Sequence, residues 1–353
     1  MTALTTQQSI LEAKVERLDE ILRSMGRVLV GYSGGVDSAM LAVAARRVLG
    51  DNVVAVTAQS ESYATGEIEG AAAICSQFGI RHEVIRTHEL DNPDYARNPS
   101  NRCYFCKHEL ITEMQQVAQR LGFEHVVYGQ NADDSADFRP GAQAASERGV
   151  RAPLAEAGIT KADIRALARE WGVPVWDRPA AACLSSRFPY GTPITAEGLR
   201  MVDQAELYLR QVCGFRQMRA RHHGAVSRLE LPAAELGAVL ADPAVRDGMV
   251  RHLTGLGYQQ VVADLRGFRS GSMNEVLVQL EQPQGDPAAQ IDTILAERTG
   301  GPARWQQHER MVCLQLPEDT VLSLADALTR AVLVSQVEGL GYRYVAVDLR
   351  ALG

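Results

Sequence analysis

No stretch of about 18 consecutive apolar residues occurs in this 353-residue chain, so no membrane-spanning helix is expected. The N-terminus, Met1 to Ser9, lacks the basic-then-apolar order of a signal peptide. A cytoplasmic protein is expected. Cysteine is scarce. Six thiols, at positions 75, 103, 106, 183, 213 and 313, are too few and too scattered to staple a chain this long. In a reducing compartment they should be free thiols, metal ligands or reactive groups. Basic charge is short as well. Lys and Arg total 36 against 43 Asp and Glu, and the net charge of −7 excludes a protein built mainly to coat nucleic acid. What is present is an ordinary globular composition, 46% hydrophobic, with a length that suits two domains.

The most informative stretch runs from Arg27 to Leu41. A β-branched run stops at Tyr32, the hexapeptide Ser33-Gly34-Gly35-Val36-Asp37-Ser38 follows, and apolar residues then recur at helical spacing (Met40, Leu41, Ala44, Val48). Strand, tight loop and helix are predicted. Gly34 and Gly35 let the backbone turn and approach a ligand closely. The loop feeds N–H groups into a helix N-terminus, an anion site. Ser33 and Ser38 add hydroxyl donors, and Asp37 could hold a metal ion against phosphates. No Gly-Lys-Ser/Thr follows, so this is not a Walker loop. It resembles the pyrophosphate loop of the ATP pyrophosphatases, which cleave ATP between the α and β phosphates.

Strands and helices alternate around this loop. An amphipathic helix is predicted over 8–25, strands over Val53–Ala58, Arg81–Arg86 and His125–Gly129, and helices over Glu67–Phe78, Cys106–Leu121 and Thr160–Trp171. This is a doubly wound parallel α/β pattern, whose ligands sit beyond the carboxyl ends of the strands. The Ser33, Ser60–Thr65 and Gln130–Asp137 loops lie at that edge. Residues 33–38 with Ser60, Gly129 and Asp133 are therefore the expected nucleotide-binding set. Pro174, Pro179, Pro189 and Pro193 interrupt the pattern, and the nucleotide domain is expected to span 1–190.

The remainder contains a duplication. Arg228-Leu-Glu-Leu-Pro is echoed by Cys313-Leu-Gln-Leu-Pro, and Gly255-Leu-Gly-Tyr by Gly339-Leu-Gly-Tyr, at an offset of about 85 residues. Each copy reads strand–helix–strand, so a smaller duplicated α/β domain is expected: 191–282 for the first copy, 283–353 for a linker and a degenerate second. Arg219 has a counterpart in Arg304, but Arg221 aligns with Gln306. The second copy is expected to be structural.

Several residues could carry chemistry. Cys103 and Cys106 form one Cys-x-x-Cys just before a helix, which is half of a zinc site, a redox pair or part of an iron–sulfur site. Cys183 follows small residues and precedes Ser185, Ser186 and Arg187. Three thiolates around one cube leave a fourth iron open to an exogenous sulfide. Arg219 and Arg221 share one face of a probable strand and could grip a phosphate. Glu206 and Glu230 could bind a divalent ion, although a solvated face suits isolated glutamates better.

The pyrophosphate loop, Asp133-Asp-Ser-Ala-Asp-Phe-Arg-Pro-Gly141, Ser185-Ser-Arg-Phe-Pro-Tyr-Gly-Thr192, Arg228-Leu-Glu-Leu-Pro232 and Gly267-Phe-Arg-Ser-Gly-Ser-Met-Asn274 together resemble the LarE family over roughly residues 8–280. These are the sulfur transferases of nickel-pincer nucleotide biosynthesis. The resemblance implies that ATP, with Mg2+, adenylylates a carboxylate of a pyridinium mononucleotide, and that sulfur displaces AMP to give a thiocarboxylate. In the branch that sacrifices its own cysteine, the donor stands one residue earlier, where this chain has Ala182. Cys103, Cys106 and Cys183 instead match a branch that holds a 4Fe-4S cluster. The resemblance further puts Ser186, Arg219 and Arg221 at the substrate phosphate, and Glu206 and Glu230 near a metal, though a third acidic position reads Ala238. Its implied partners are the nucleotide substrate, ATP and a sulfide source, with no nucleic acid and no membrane; a homo-oligomer is expected. The rivals are sacrificial donation from Cys183, a tRNA thiolation enzyme or amide-forming synthetase of the same superfamily, and a sensor that has lost catalysis.

Overall fold

The computed structural model describes residues 2–136, 140–179, 182–269, 271–272, 286–298 and 303–351. Asp137 to Arg139, Ala180, Ala181, Ser270, Met273 and Asn274 of the motifs, and parts of the 283–302 linker, lie outside the described residues. The chain divides into two compact units, Met1–Cys183 and Leu184–Gly353.

The first unit is built on four parallel strands: β1 (Val28–Gly31), β2 (Val53–Gln59), β3 (Arg81–Arg86) and β4 (His125–Tyr128). Their order is β3-β2-β1-β4. Val28 pairs with Val53 on one side and His125 on the other. Successive side chains of a strand point to opposite faces, and β1 uses both. Val28 and Val30 pack with Leu18, Leu22, Met40, Leu41, Ile164 and Leu167. Leu29, between them, packs with Ile111, Met114 and Val117. Helices therefore cover both faces, as a doubly wound sheet requires. The helix Lys161–Glu170 opens on a capping box, in which the Thr160 hydroxyl accepts from the Asp163 N–H and the Asp163 carboxylate accepts from the Thr160 N–H. The helix after the third strand starts at Arg102, four residues earlier than the periodicity indicates. Cys103 and Cys106 thus belong to its opening turns. Adjacent Tyr104 and Phe105 had broken the apolar period there.

The second unit holds a six-stranded sheet made by both copies together. Its strands are β5 (Arg219–His223), β6 (Val226–Glu230), β7 (Gln260–Asp264), β8 (Arg304–His308), β9 (Met311–Gln315) and β10 (Tyr344–Asp348). The order is β5-β6-β7-β10-β9-β8. Each copy is a hairpin, two helices and a returning strand parallel to the hairpin's second strand. The hairpin is what the strand–helix–strand reading left out. β7 and β10 meet antiparallel, Ala263 opposite Val347, so the copies are arranged head to head. One core serves both: Leu229, Leu253 and Val261 share a cluster with Leu314, Val337 and Val345.

On the sequence alone the second copy is expected to be structural. The shared sheet shows what it covers. Deleting residues 283–353 would strip β10 from β7 and leave a central strand as a bare, apolar edge, a template for association. The truncated chain should self-associate or aggregate. Light scattering that found it soluble and monomeric, with an unchanged melting temperature, would contradict this.

Candidate functional site

The first unit contains a cavity of about 240 Å³ at the carboxyl ends of its strands. Ser33, Gly35, Val36, Asp37, Ser38 and Gly129 all line it. Gly34 turns the chain at φ +74°, a conformation that favours glycine. The loop is tied by its own serines. The Ser38 hydroxyl accepts from the Ser33 N–H at 3.2 Å and donates to the Gly35 carbonyl at 3.1 Å. The helix Val36–Leu49 then starts with no side chain capping it, so its first N–H groups are available to an anion. Gly129, at the end of β4, presses against this loop. A Cβ there would lie 2.6 Å from the Ser38 nitrogen.

Two lysines line the same cavity, and sequence reasoning singled out neither. Lys161 Nζ donates to both oxygens of Asp37, at 2.6 and 2.8 Å. Its backbone N–H donates to Asp133 at 2.8 Å. Lys107, the residue after Cys106, stands 4.9 Å from the Tyr128 ring centroid, and burial lowers its pKa. Asp133 and Ser60 are absent from the cavity wall. Asp133 braces Lys161, and the Ser60 hydroxyl donates to Glu89 at 2.6 Å.

Cys103, Cys106 and Cys183 are close enough to influence one another. Burial pushes the Cys106 thiol well up, followed by Glu89, Cys183 and Cys103. Burial and then Cys183 raise Cys103. Cys103 and Cys183 are exposed. Tyr63, on the cavity wall, has its pKa raised by burial and then by Cys106, Glu89 and Cys183. Cys75 and Cys313 are buried, and burial pushes each to about 12. They belong to apolar cores. Among the described residues, no three His, Cys, Asp or Glu side chains are grouped to hold one metal ion. Thiolates that ligate different irons of one cluster stand further apart than the ligands of a single ion.

The second unit gathers Ser186 with Arg219 and Arg221 through a buried network. Arg187 grips Glu206 with two bonds of 2.8 Å and donates to the Ser186 hydroxyl at 2.9 Å. Arg221 donates to the Ser186 carbonyl at 3.0 Å and to Glu230 at 2.6 Å. Ser272 bridges Arg221 and Glu230. Arg228 pairs with Glu230 and Asp264, and Arg269 also reaches Asp264. Five guanidiniums, counting Arg219, face three carboxylates, an excess of two positive charges. Burial, then Arg187, lowers the Arg219 pKa to about 10. Glu206 and Glu230, offered above as metal ligands, each pair with an arginine. Burial alone would raise both, but the adjoining arginines hold them below the usual carboxylate range. Nothing in the spacing of these glutamates announced partners 19 and 9 residues away. The second copy contributes too. The Tyr344 ring lies 3.8 Å from the Arg228 guanidinium carbon, and its hydroxyl donates to the Ser272 carbonyl at 3.0 Å.

A doubly wound parallel sheet with a Ser-Gly-Gly-Val-Asp-Ser loop walling its cavity defines a PP-loop, ATP-dependent enzyme. The NAD synthase family model matches residues 9–97. The pyridinium-3,5-bisthiocarboxylic acid mononucleotide synthase of Lactiplantibacillus plantarum is 36% identical over 282 residues, 80% of this chain and 98% of that protein. The chain belongs to that family, LarE. An uncharacterized protein of Synechocystis sp. is 46% identical over 76% of this chain and 99% of its own length. The glutamine-hydrolyzing GMP synthase of Aeropyrum pernix is 25% identical over 56% of this chain and 42% of that protein.

Gly129→Ala tests the loop geometry. Its methyl would displace the Ser38 backbone, so affinity for Mg-ATP should fall at least tenfold. The melting temperature should stay within a few degrees. Unchanged affinity by calorimetry would show that the loop tolerates the shift.

Proposed function

We propose that the chain is an ATP-dependent sulfur transferase that adenylylates a carboxylate of a pyridinium biscarboxylate mononucleotide and converts it to a thiocarboxylate. The observation that carries this reading is the union of a pyrophosphate-loop cavity with three neighbouring thiols in one unit. A carboxylate is a poor electrophile. Its oxygen attacks the α-phosphorus of ATP, the bond to the β-phosphate oxygen breaks, and pyrophosphate leaves with the electron pair. The helix N–H groups and Lys161 offset the developing charge. Asp37, held by Lys161, is the group that would meet Mg2+. Ser186, Arg219 and Arg221 suit the substrate phosphate, because this network carries surplus positive charge.

The residues fit a 4Fe-4S cluster in their donor chemistry: three thiols electrostatically coupled, two of them open to water, with a buried carboxylate beside the third. When bound, the cluster would supply a deprotonated sulfur donor without consuming a side chain. Cys103, Cys106 and Cys183 would hold it. An oligomeric assembly remains part of the reading.

ATP with substrate and Mg2+ should yield AMP and pyrophosphate, and Asp37→Ala should abolish the reaction. Replacing Cys103, Cys106 or Cys183 by Ala should remove iron binding and sulfur transfer together while ATP binding survives. Cys75, Cys213 and Cys313 should be dispensable. After many turnovers with sulfide the intact mass should be unchanged. A loss equal to one hydrogen sulfide, mapped to dehydroalanine at Cys183, would establish the sacrificial route instead.

A further inference from the structure

We propose that Tyr344, in the second copy, is a positioning residue for the substrate phosphate, acting on Arg221 through Ser272 and Arg228. The inference rests on the reading of Ser186, Arg219 and Arg221 as the phosphate site.

Tyr344 opens β10 as Gln260 opens β7, and the two positions correspond in the duplication. Where the copies meet, each sends this first side chain across to the other. Gln260 donates to Asp348 at 2.9 Å. Tyr344 goes the opposite way and meets two members of the arginine network. Its ring lies 3.8 Å from the Arg228 guanidinium carbon, and its hydroxyl donates to the Ser272 carbonyl at 3.0 Å. Tyr344, Arg228 and Ser272 are all buried.

Both contacts lead to Arg221. The Ser272 hydroxyl accepts from Arg221 at 2.9 Å and donates to Glu230 at 2.7 Å. Ser272 follows Gly271, at φ +79°, so its loop has a permissive backbone, and a hold on its carbonyl fixes where the hydroxyl sits. Arg228 Nη1 stands 3.0 Å from Glu230, which Arg221 also grips at 2.6 Å. One carboxylate is thus shared by two guanidiniums. Were Arg228 to withdraw, Glu230 would belong to Arg221 alone and offset more of its charge.

An aromatic ring suits this place. A buried guanidinium needs compensation for the water it has lost. A carboxylate would supply it and cancel the charge. The face of a ring attracts a cation and adds no charge of its own. The surplus positive charge of the network is therefore kept for a phosphate. Arg221 has a donor left to meet one. Its Nε–H is buried and, among the described residues, has no hydrogen-bond partner. An unmet buried donor is costly, and a ligand oxygen would satisfy it.

The test uses the full-length protein and nicotinic acid mononucleotide, a pyridinium carboxylate mononucleotide, beside its dephosphorylated nucleoside. By calorimetry the unaltered protein should bind the nucleotide more tightly than the nucleoside. Tyr344→Leu removes both ring and hydroxyl, and should weaken the nucleotide about tenfold while leaving the nucleoside and Mg-ATP unchanged. Tyr344→Phe keeps the ring, loses the bond to Ser272, and should weaken the nucleotide about threefold. Arg221→Gln should lose the preference for the nucleotide. If it does, and both Tyr344 variants bind the nucleotide as tightly as the unaltered protein, the role of Tyr344 is overturned. Should Tyr344→Leu fail to fold, Tyr344→Phe decides by the same measure. A preference missing from the unaltered protein, or kept by Arg221→Gln, would overturn the phosphate reading, and this inference with it.

Discussion

The nucleotide cavity depends on one close approach, that of Gly129 to the backbone of Asp37 and Ser38. β4 must end in a residue without a side chain for the loop after β1 to lie against it. That contact fixes where the helix Val36–Leu49 starts, and so where its free N–H groups are aimed. The remaining features follow from it. Asp37 occupies the second position of that helix and meets Lys161, 124 residues away in sequence. Lys161 is itself fixed by the capped start of its own helix and by Asp133. Anion and cation are therefore presented together, one suited to a metal ion and the other to a phosphate.

The second unit obeys a different constraint. A head-to-head sheet joins two copies through β7 and β10, yet only one copy carries the arginine network. Arg221 corresponds to Gln306, Arg228 to Cys313 and Glu230 to Gln315, whereas Asp264 keeps a buried counterpart in Asp348. Without an arginine opposite it, the Asp348 carboxylate accepts from the Gln260 amide and the Arg350 N–H instead. The alignments cover 98–99% of the two longer-matched relatives but only 76–80% of this chain. About a fifth of the chain is thus additional to them. The second copy closes the edge of β7 and supplies Tyr344 to the network of the first. It is more than a passive cover.

Much of this was legible in the sequence. β-Branched runs marked the strands at Val53 and Arg81 to within a residue. The loop was legible because its glycines, serines and aspartate are contiguous. The lysines were not, since Lys107 and Lys161 look like any surface lysine until the fold brings them to the cavity. Ser60 was placed at the correct edge, but its hydroxyl turns to Glu89. The arginine partners of Glu206 and Glu230 were not legible, for a general reason. A buried glutamate that ligates metal and one that pairs with arginine have the same sequence signature, and only the partner distinguishes them.

The six cysteines show how far burial sorts identical side chains. Cys75 and Cys313 sit in apolar clusters, where desolvation keeps the thiol protonated and unreactive. Cys103 and Cys183 reach solvent, and Cys106 is half-buried, its thiol pushed up by burial and then by Glu89. Burial and negative neighbours raise Cys103 and Cys106, the opposite of what a nucleophilic cysteine needs. Cys103 stands in the opening turn of its helix beside Arg102, which pulls its pKa down without offsetting burial. Thiols crowded with one another and with a carboxylate gain most from a polycation that takes all their charge at once.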